Sequence, residues 1–260
     1  MTRPPQQPAF SQDDSPSFRA SFEQWRRSLT SFAARPPLRC EPQWSDGPIM
    51  HDDKNTPNDP ARDPKREAAD CRRCEKWRDE LARESPIVRF LLTHISLLPP
   101  SPNSPMPTPE HSPTPHLPIP ITCSPCPPTM AGGFSPELGI LLCQNRFMSR
   151  KHMEDALAHE LVHAWDERRF TPKGKWGDDL RAHACTEIRA ETLSGDCRFG
   201  REFTRRNWHF AAQHQACVRR RAILSVAANP NCASRQEAER VVNEVFESCW
   251  PDTRPFDEIY

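Results

Sequence analysis

Residues 153–169 read "MEDALAHELVHAWDERR", and the fold turns on how this stretch is read. Met153, Ala156, Leu157, Leu161, Val162, Ala164 and Trp165 recur at helical spacing, which predicts a helix over 149–168. On that helix His159 and His163 stand four residues apart, about 40° from one another around the axis, on one face. Two imidazoles one turn apart can hold a single Zn2+ ion. Glu160 lies beside that face rather than between the histidines, so it can take a proton from water at the ion without competing for it. Either histidine alone reads as an ordinary helix residue; it is the His-Glu-x-x-His pattern within one helix that points to metal chemistry.

The flanking segments strengthen a zincin-like reading. Upstream, "LGILLCQNR" (138–146) reads as a short strand of a small antiparallel sheet packed on the helix. It is expected at the sheet edge, where Leu141 and Leu142 would align an extended peptide by backbone pairing. Downstream, "AHACTEIRAETLSGDCRF" (182–199) reads as a helix near 181–194. A zinc ion with two histidines needs a third protein ligand and one open position. Glu187 is the first choice, His183 the runner-up and Asp166 a weaker third. Glu191, one turn beyond Glu187, is placed to support a histidine from behind. The expected site is therefore one catalytic Zn2+ held by His159, His163 and Glu187, with Glu160 as the base. Helices near 208–228 and 234–249 follow, the second opened by a Ser234/Glu237 capping box. Its stripe of Ala238, Val241, Val242, Val245 and Phe246 reads as core.

Composition sets the limits of the foldable region. Of thirty prolines, thirteen fall in 99–128, where a residue lacking its N–H and fixed in φ excludes helix and inner strand. Residues 99–120 are expected to be an exposed Pro-rich insertion without order. Residues 1–65, also rich in Pro, Ser, Asp and Arg, are expected to be mostly disordered. Within them, 17–35 carries a helical stripe of Phe18, Phe22, Trp25, Leu29 and Phe32 opposite arginines. That pattern suits a targeting or membrane-surface helix, and equally a helix packed on its own domain. The domain is then 66–260, interrupted by the insertion. Lys plus Arg equals Asp plus Glu at 35 each, which gives no reason to expect nucleic-acid binding. No apolar run reaches the roughly 18 residues a bilayer requires.

Ten of the eleven cysteines follow residue 70. Two pairs, Cys71/Cys74 and Cys123/Cys126, have CxxC spacing, which is also that of a four-cysteine zinc ribbon. An even set of ten spread over every element fits five disulfides in an oxidising compartment better than one ribbon.

"CEKWRDELARESPIVRFL" (74–91), "GGFSPELGILLCQNR", "HELVHAWD", "HACTEIRAETLSGDCRF", "CVRRRAILSV", "NPNC" and the terminal "DTRPFDEIY" occur in order. Together they resemble the mitochondrial inner-membrane metalloprotease family that matures and assembles ATP synthase, over about 71–260. The resemblance implies a zinc endopeptidase that clips the N-terminal presequence of the mitochondrially encoded F0 proton-channel subunit. It also implies a chaperone role in assembling that subunit, and peripheral attachment to the inner membrane on its intermembrane-space side. Two other readings compete: an assembly chaperone whose peptidase activity is dispensable, and a zinc-ribbon nucleic-acid protein. The expected class is α+β, helix-rich with a small sheet and cross-linked by disulfides.

Overall fold

Helix α1 (Pro64–Glu84) and helix α2 (Pro86–Ser96) are separated by Ser85 alone. Pro86 cannot continue α1 but suits the first turn of α2, where its missing N–H is no loss. Ser85 caps α2 by accepting from the Val88 N–H at 3.3 Å, and donates to Glu154 at 2.6 Å. The structure is a computed structural model, and it describes residues 64–100, 114–126, 130–170, 178–197 and 213–257. The expected helix over 17–35 and most of the Pro-rich insertion lie outside the described residues.

Three strands follow: β1 (Ile121–Ser124), β2 (Gly132–Ser135) and β3 (Gly139–Cys143), in the order β1–β3–β2. β1 runs parallel to β3 with Ile121 opposite Ile140, and β2 antiparallel with Gly132 opposite Leu142. The expected antiparallel sheet is thus mixed, and the expected edge strand is its centre. The reason lies in pairing: β3 bonds to β1 on one side and β2 on the other. Its five buried residues report covered faces, and an apolar run of that kind does not distinguish edge from centre. The edge nearest the His-Glu-x-x-His helix is β2.

Among the described residues four helices complete the fold: α3 (Arg150–Phe170), α4 (Leu180–Leu193), α5 (Gln213–Ala228) and α6 (Arg235–Cys249). Their bounds match the expected helices closely, and 208–212 lie outside the described residues. Two large apolar cores form among the described residues, beside a small cluster of Cys126, Leu141 and Cys143. Leu157, Leu161 and Val162 of α3 close over Leu91 and Ile95 of α2 and Ile140 and Leu142 of β3. Ile188 of α4 packs with Val218 and Ala222 of α5 and Val242 and Phe246 of α6. The α6 stripe is core, as expected. α3 and α4 therefore each give one side to a core and meet along a polar seam.

Residues 114–120 of the expected insertion belong to the fold instead. Thr114 is wholly buried and its Oγ1 accepts from the Ile121 N–H at 3.1 Å. Ile119 joins the first core, and Arg168 donates to the Pro118 carbonyl at 2.6 Å. Prolines cannot supply the ladder, so side chains satisfy the exposed carbonyls in its place.

Disulfides join Cys74 to Cys123, Cys126 to Cys143, Cys185 to Cys249 and Cys197 to Cys217. Cys71 is disulfide-bonded as well. Both CxxC pairs are thus consumed, and the four-thiolate ribbon has no ligands. The expectation of five bridges within the set of ten is corrected by Cys232, a buried thiol whose Sγ faces the Ser234 carbonyl at 3.1 Å.

Candidate active site

The seam between α3 and α4 brings His159, His163 and Glu187 together. His159 Nε2 and His163 Nε2 are 3.0 Å apart. Glu187 places Oε2 3.7 Å from the first and Oε1 3.5 Å from the second. One donor atom from each residue lies within 4.8 Å of the other two. Ligands about 2.0–2.1 Å from a tetrahedral ion stand about 3.3 Å from each other. The observed edges bracket that value. Two histidine nitrogens and a carboxylate oxygen also form a donor set that zinc favours, so these residues fit the ion.

A hydrogen bond assigns the ring proton of His163, and a nearby carboxylate favours one tautomer of His159. Thr186 Oγ1 donates to Asp166 Oδ2 at 2.8 Å, so its oxygen accepts from His163 Nδ1–H at 2.9 Å. His163 Nε2 then carries a lone pair directed at the cluster. His159 Nδ1 is buried without a hydrogen bond, and the facing group is Glu191 Oε1 at 3.8 Å, an acceptor. A proton on that Nδ1 leaves His159 Nε2 bare as well. Two lone pairs 3.0 Å apart repel unless a cation lies between them. This arrangement, a ligating histidine backed by a carboxylate or hydroxyl, is how metal sites fix ring orientation.

His183 does not join the cluster. Its Nε2 lies 3.3 Å from Glu187 Oε1 and its Nδ1 2.9 Å from Asn229 Nδ2. It accepts from Asn229 and donates to Glu187, orienting that carboxylate from behind. Asp166 is likewise turned away, toward Thr186 and Arg189.

Electrostatics agree with the geometry. Burial lowers the His163 pKa to about 3, so its imidazole is neutral and able to ligate. Burial alone would push the Glu187 carboxyl up, but His163, His183 and His159 hold it well below the usual carboxylate range. Burial also pushes Glu160 up to about 7, with Glu187, Asp196 and Glu191 adding to it against His159. That is the range of a carboxylate fit to exchange protons near neutrality. Burial would lower His159, but Glu191, Glu160, Glu187 and Asp196 together raise it.

Glu160 lies under the start of β2. A β-carbon at Gly132 would sit 3.3 Å from Glu160 Oε1 and 3.1 Å from the Leu141 carbonyl. A larger residue here would require Glu160 or the Leu141 carbonyl to give by a few tenths of an ångström.

His159, Glu191 and Asp196 form a second group of metal-ligating types. Here the cation is already present: Arg221 of α5 reaches Glu191 at 2.5 Å and Asp196 at 3.0 Å. Burial would lower the Arg221 pKa, yet Glu191 and Asp196 raise it. The Cys197–Cys217 bridge ties the end of this segment to α5 and brings Arg221 into place. Among the described residues the geometry thus offers a place for one ion.

The sequence reading missed Thr186, Arg189, Asp196, Arg221 and Asn229. The one available signal was that "ACTEIRAETL" carries polar residues on every face, which suits a helix buried all round only if those groups pair. They are buried from His183 through Leu193 apart from Cys185.

A helix presenting His159, Glu160 and His163 beneath an edge strand, with a glutamate from the next helix, defines a metallopeptidase. The peptidase M76 family matches residues 72–257, and the chain belongs to it. A mitochondrial inner membrane protease, ATP23, of Mycosarcoma maydis is 50% identical over 218 residues, covering 79% of this chain and 99% of its own. The atp23 protease of Aspergillus fumigatus is 54% identical over 201 residues, covering 77% and 78% of the two chains. That of Malassezia globosa is 50% identical over 194 residues, covering 72% and 76%. No solved structure matches the chain.

Proposed function

We propose that this metallopeptidase is a zinc endopeptidase of the mitochondrial inner membrane that removes the N-terminal presequence of the F0 proton-channel subunit. The observation that carries the peptidase reading is the triangle of His159 Nε2, His163 Nε2 and Glu187, with Glu160 beside it. His159, His163 and Glu187 would hold the ion. When bound, zinc supplies Lewis acidity toward the scissile carbonyl and the attacking water.

The residues of the chain do the rest. Glu160 takes the water's proton as it attacks and returns it to the leaving amine nitrogen. The free side of β2, from Gly132 to Ser135, pairs with an extended peptide and sets the scissile bond over Glu160. Glu191 and Thr186 hold the two imidazoles in the ligating tautomer.

Location and substrate rest on the relatives, which are inner membrane proteases by name, and on the family resemblance. Disulfides throughout the fold suit the oxidising intermembrane space. Among the described residues no helix is long and apolar enough to cross a membrane, which is compatible with peripheral attachment. The chain also chaperones assembly of the same subunit on this reading.

The test uses the zinc-loaded chain and a peptide spanning the subunit's presequence junction. Wild type is expected to cut once at the junction, and Glu160→Gln about 10²–10⁴-fold more slowly. Equal cleavage by both would remove Glu160 from the mechanism. In cells lacking the protein, assembly rescued by Glu160→Gln without processing would separate the chaperone role from the peptidase.

A further inference from the structure

Arg189 is the largest fully buried side chain of the described residues, at 1% exposure, and the peptidase mechanism does not use it. Its Nε donates to both oxygens of Asp166 at 3.1 and 3.0 Å. Its other two nitrogens donate to the backbone carbonyls of Asp252 and Arg254. Nη1 also pairs with the Asp252 carboxylate at 3.0 Å, and the guanidinium lies 5.4 Å from the Trp165 ring centre. One planar group therefore joins the segment after α6 to Asp166 of α3.

That segment is fastened at further points. Arg169 of α3 reaches Asp252 Oδ2 at 3.2 Å, and Phe256 stacks on Phe90 of α2 at 4.7 Å between centres. Residues 252–256 thus touch three helices, α2, α3 and α4.

We infer that this C-terminal strap is a positioning element of the metal site, acting through Arg189, Asp166 and Thr186 to hold His163 in its ligating tautomer. The inference rests on the metal-site reading above. The logic is one of committed protons. Arg189 occupies both Asp166 oxygens in one orientation, and Thr186 spends its only O–H on Asp166. Its oxygen can then only accept, which places the proton on His163 Nδ1 and the lone pair on Nε2. Without the strap, Arg189 loses its carbonyl acceptors and must turn to find others. Asp166 is then free to shift, the Thr186 hydroxyl can donate to His163 Nδ1, and the proton moves to Nε2. A histidine in that tautomer cannot ligate through Nε2.

Full-length variants test this with zinc alone, by chelator competition. Thr186→Val is expected to weaken zinc binding about 10–100-fold, while Thr186→Ser, which keeps the hydroxyl, stays near wild type. Asp252→Ala removes the carboxylate that ties the strap to Arg189, Arg169 and Arg254, so it releases the strap and is expected to weaken zinc in the same direction. In the Thr186→Val background it should add nothing, because both act along one path. Ring-nitrogen NMR of the metal-free chain gives the second readout: His163 protonated at Nδ1 in wild type, shifting toward Nε2 in Thr186→Val and Asp252→Ala. Unchanged tautomer and zinc affinity in Asp252→Ala would overturn the strap's role. Additive losses would reduce it to general stability. Wild type failing to bind zinc would instead sink the metal reading, and the NMR readout would still decide the strap.

Discussion

Helix α3 has two sides that differ in kind. One side, with Met153, Leu157, Leu161 and Val162, seals an apolar core against α2 and the sheet. The other, with His159, His163 and Asp166, faces α4 across a seam in which nearly every buried polar group is paired. Apolar contacts are non-directional, so the first side depends on volume and tolerates a similar shape. Hydrogen bonds are directional, and a buried one left unmade costs the desolvation of its partner. The first side sets how stable the fold is; the second sets what it does.

Changes on either side should therefore separate stability from activity. Glu160→Gln is the largest expected effect: peptide turnover falls about 10²–10⁴-fold, the share of a general base. Its melting temperature should hold or rise, since a buried carboxyl with no ion pair among the described residues becomes a neutral amide. A comparable fall in melting temperature would make Glu160 structural. Leu161→Ala, on the opposite side, is expected to cost about 2–5 kcal/mol in denaturant unfolding. Turnover per folded molecule should then stay close to wild type. Removing the Cys185–Cys249 bridge by serine at both positions opens a sequence separation of 64 and should cost about 2–4 kcal/mol. That loss should appear in α4–α6 and not in the tie of β1 to α1. Ser234→Ala is the smallest, about 1 kcal/mol, because Ser234 accepts from the Glu237 N–H at 3.2 Å in a half-buried cap. It should leave zinc affinity unchanged.

The same contrast explains what the sequence could disclose. Periodicity reports apolar faces, so α3, α4 and α6 were legible, with the Ser234 cap in place. In the cap the returning bond from Glu237 goes to the Ala233 N–H, one residue before the capping serine. Spacing within one helix reports what that helix presents, so His159, Glu160 and His163 were legible too. Glu187 was readable only as one of three candidates, because its selection depends on the crossing of two helices. His183 was set aside by Asn229, a residue 46 positions away. β3 was read as an edge because an apolar pentapeptide looks alike at the edge and the centre of a sheet. Its neighbours gave little signal: β2 begins with two glycines and β1 lies among prolines. The relay from Arg189 to His163 was illegible, since no pattern marks an arginine whose acceptors are carbonyls sixty residues on.

The central claim is that one zinc ion sits at the seam, held by His159, His163 and Glu187. Anomalous scattering measured at the zinc edge from crystals of the full chain tests it most directly. The account predicts a single zinc peak per chain, in bonding contact with both Nε2 atoms and the Glu187 carboxylate, with Glu191 and His183 outside that contact. A peak ligated by His183 in place of Glu187, or a second peak between Glu191 and Asp196, would contradict it.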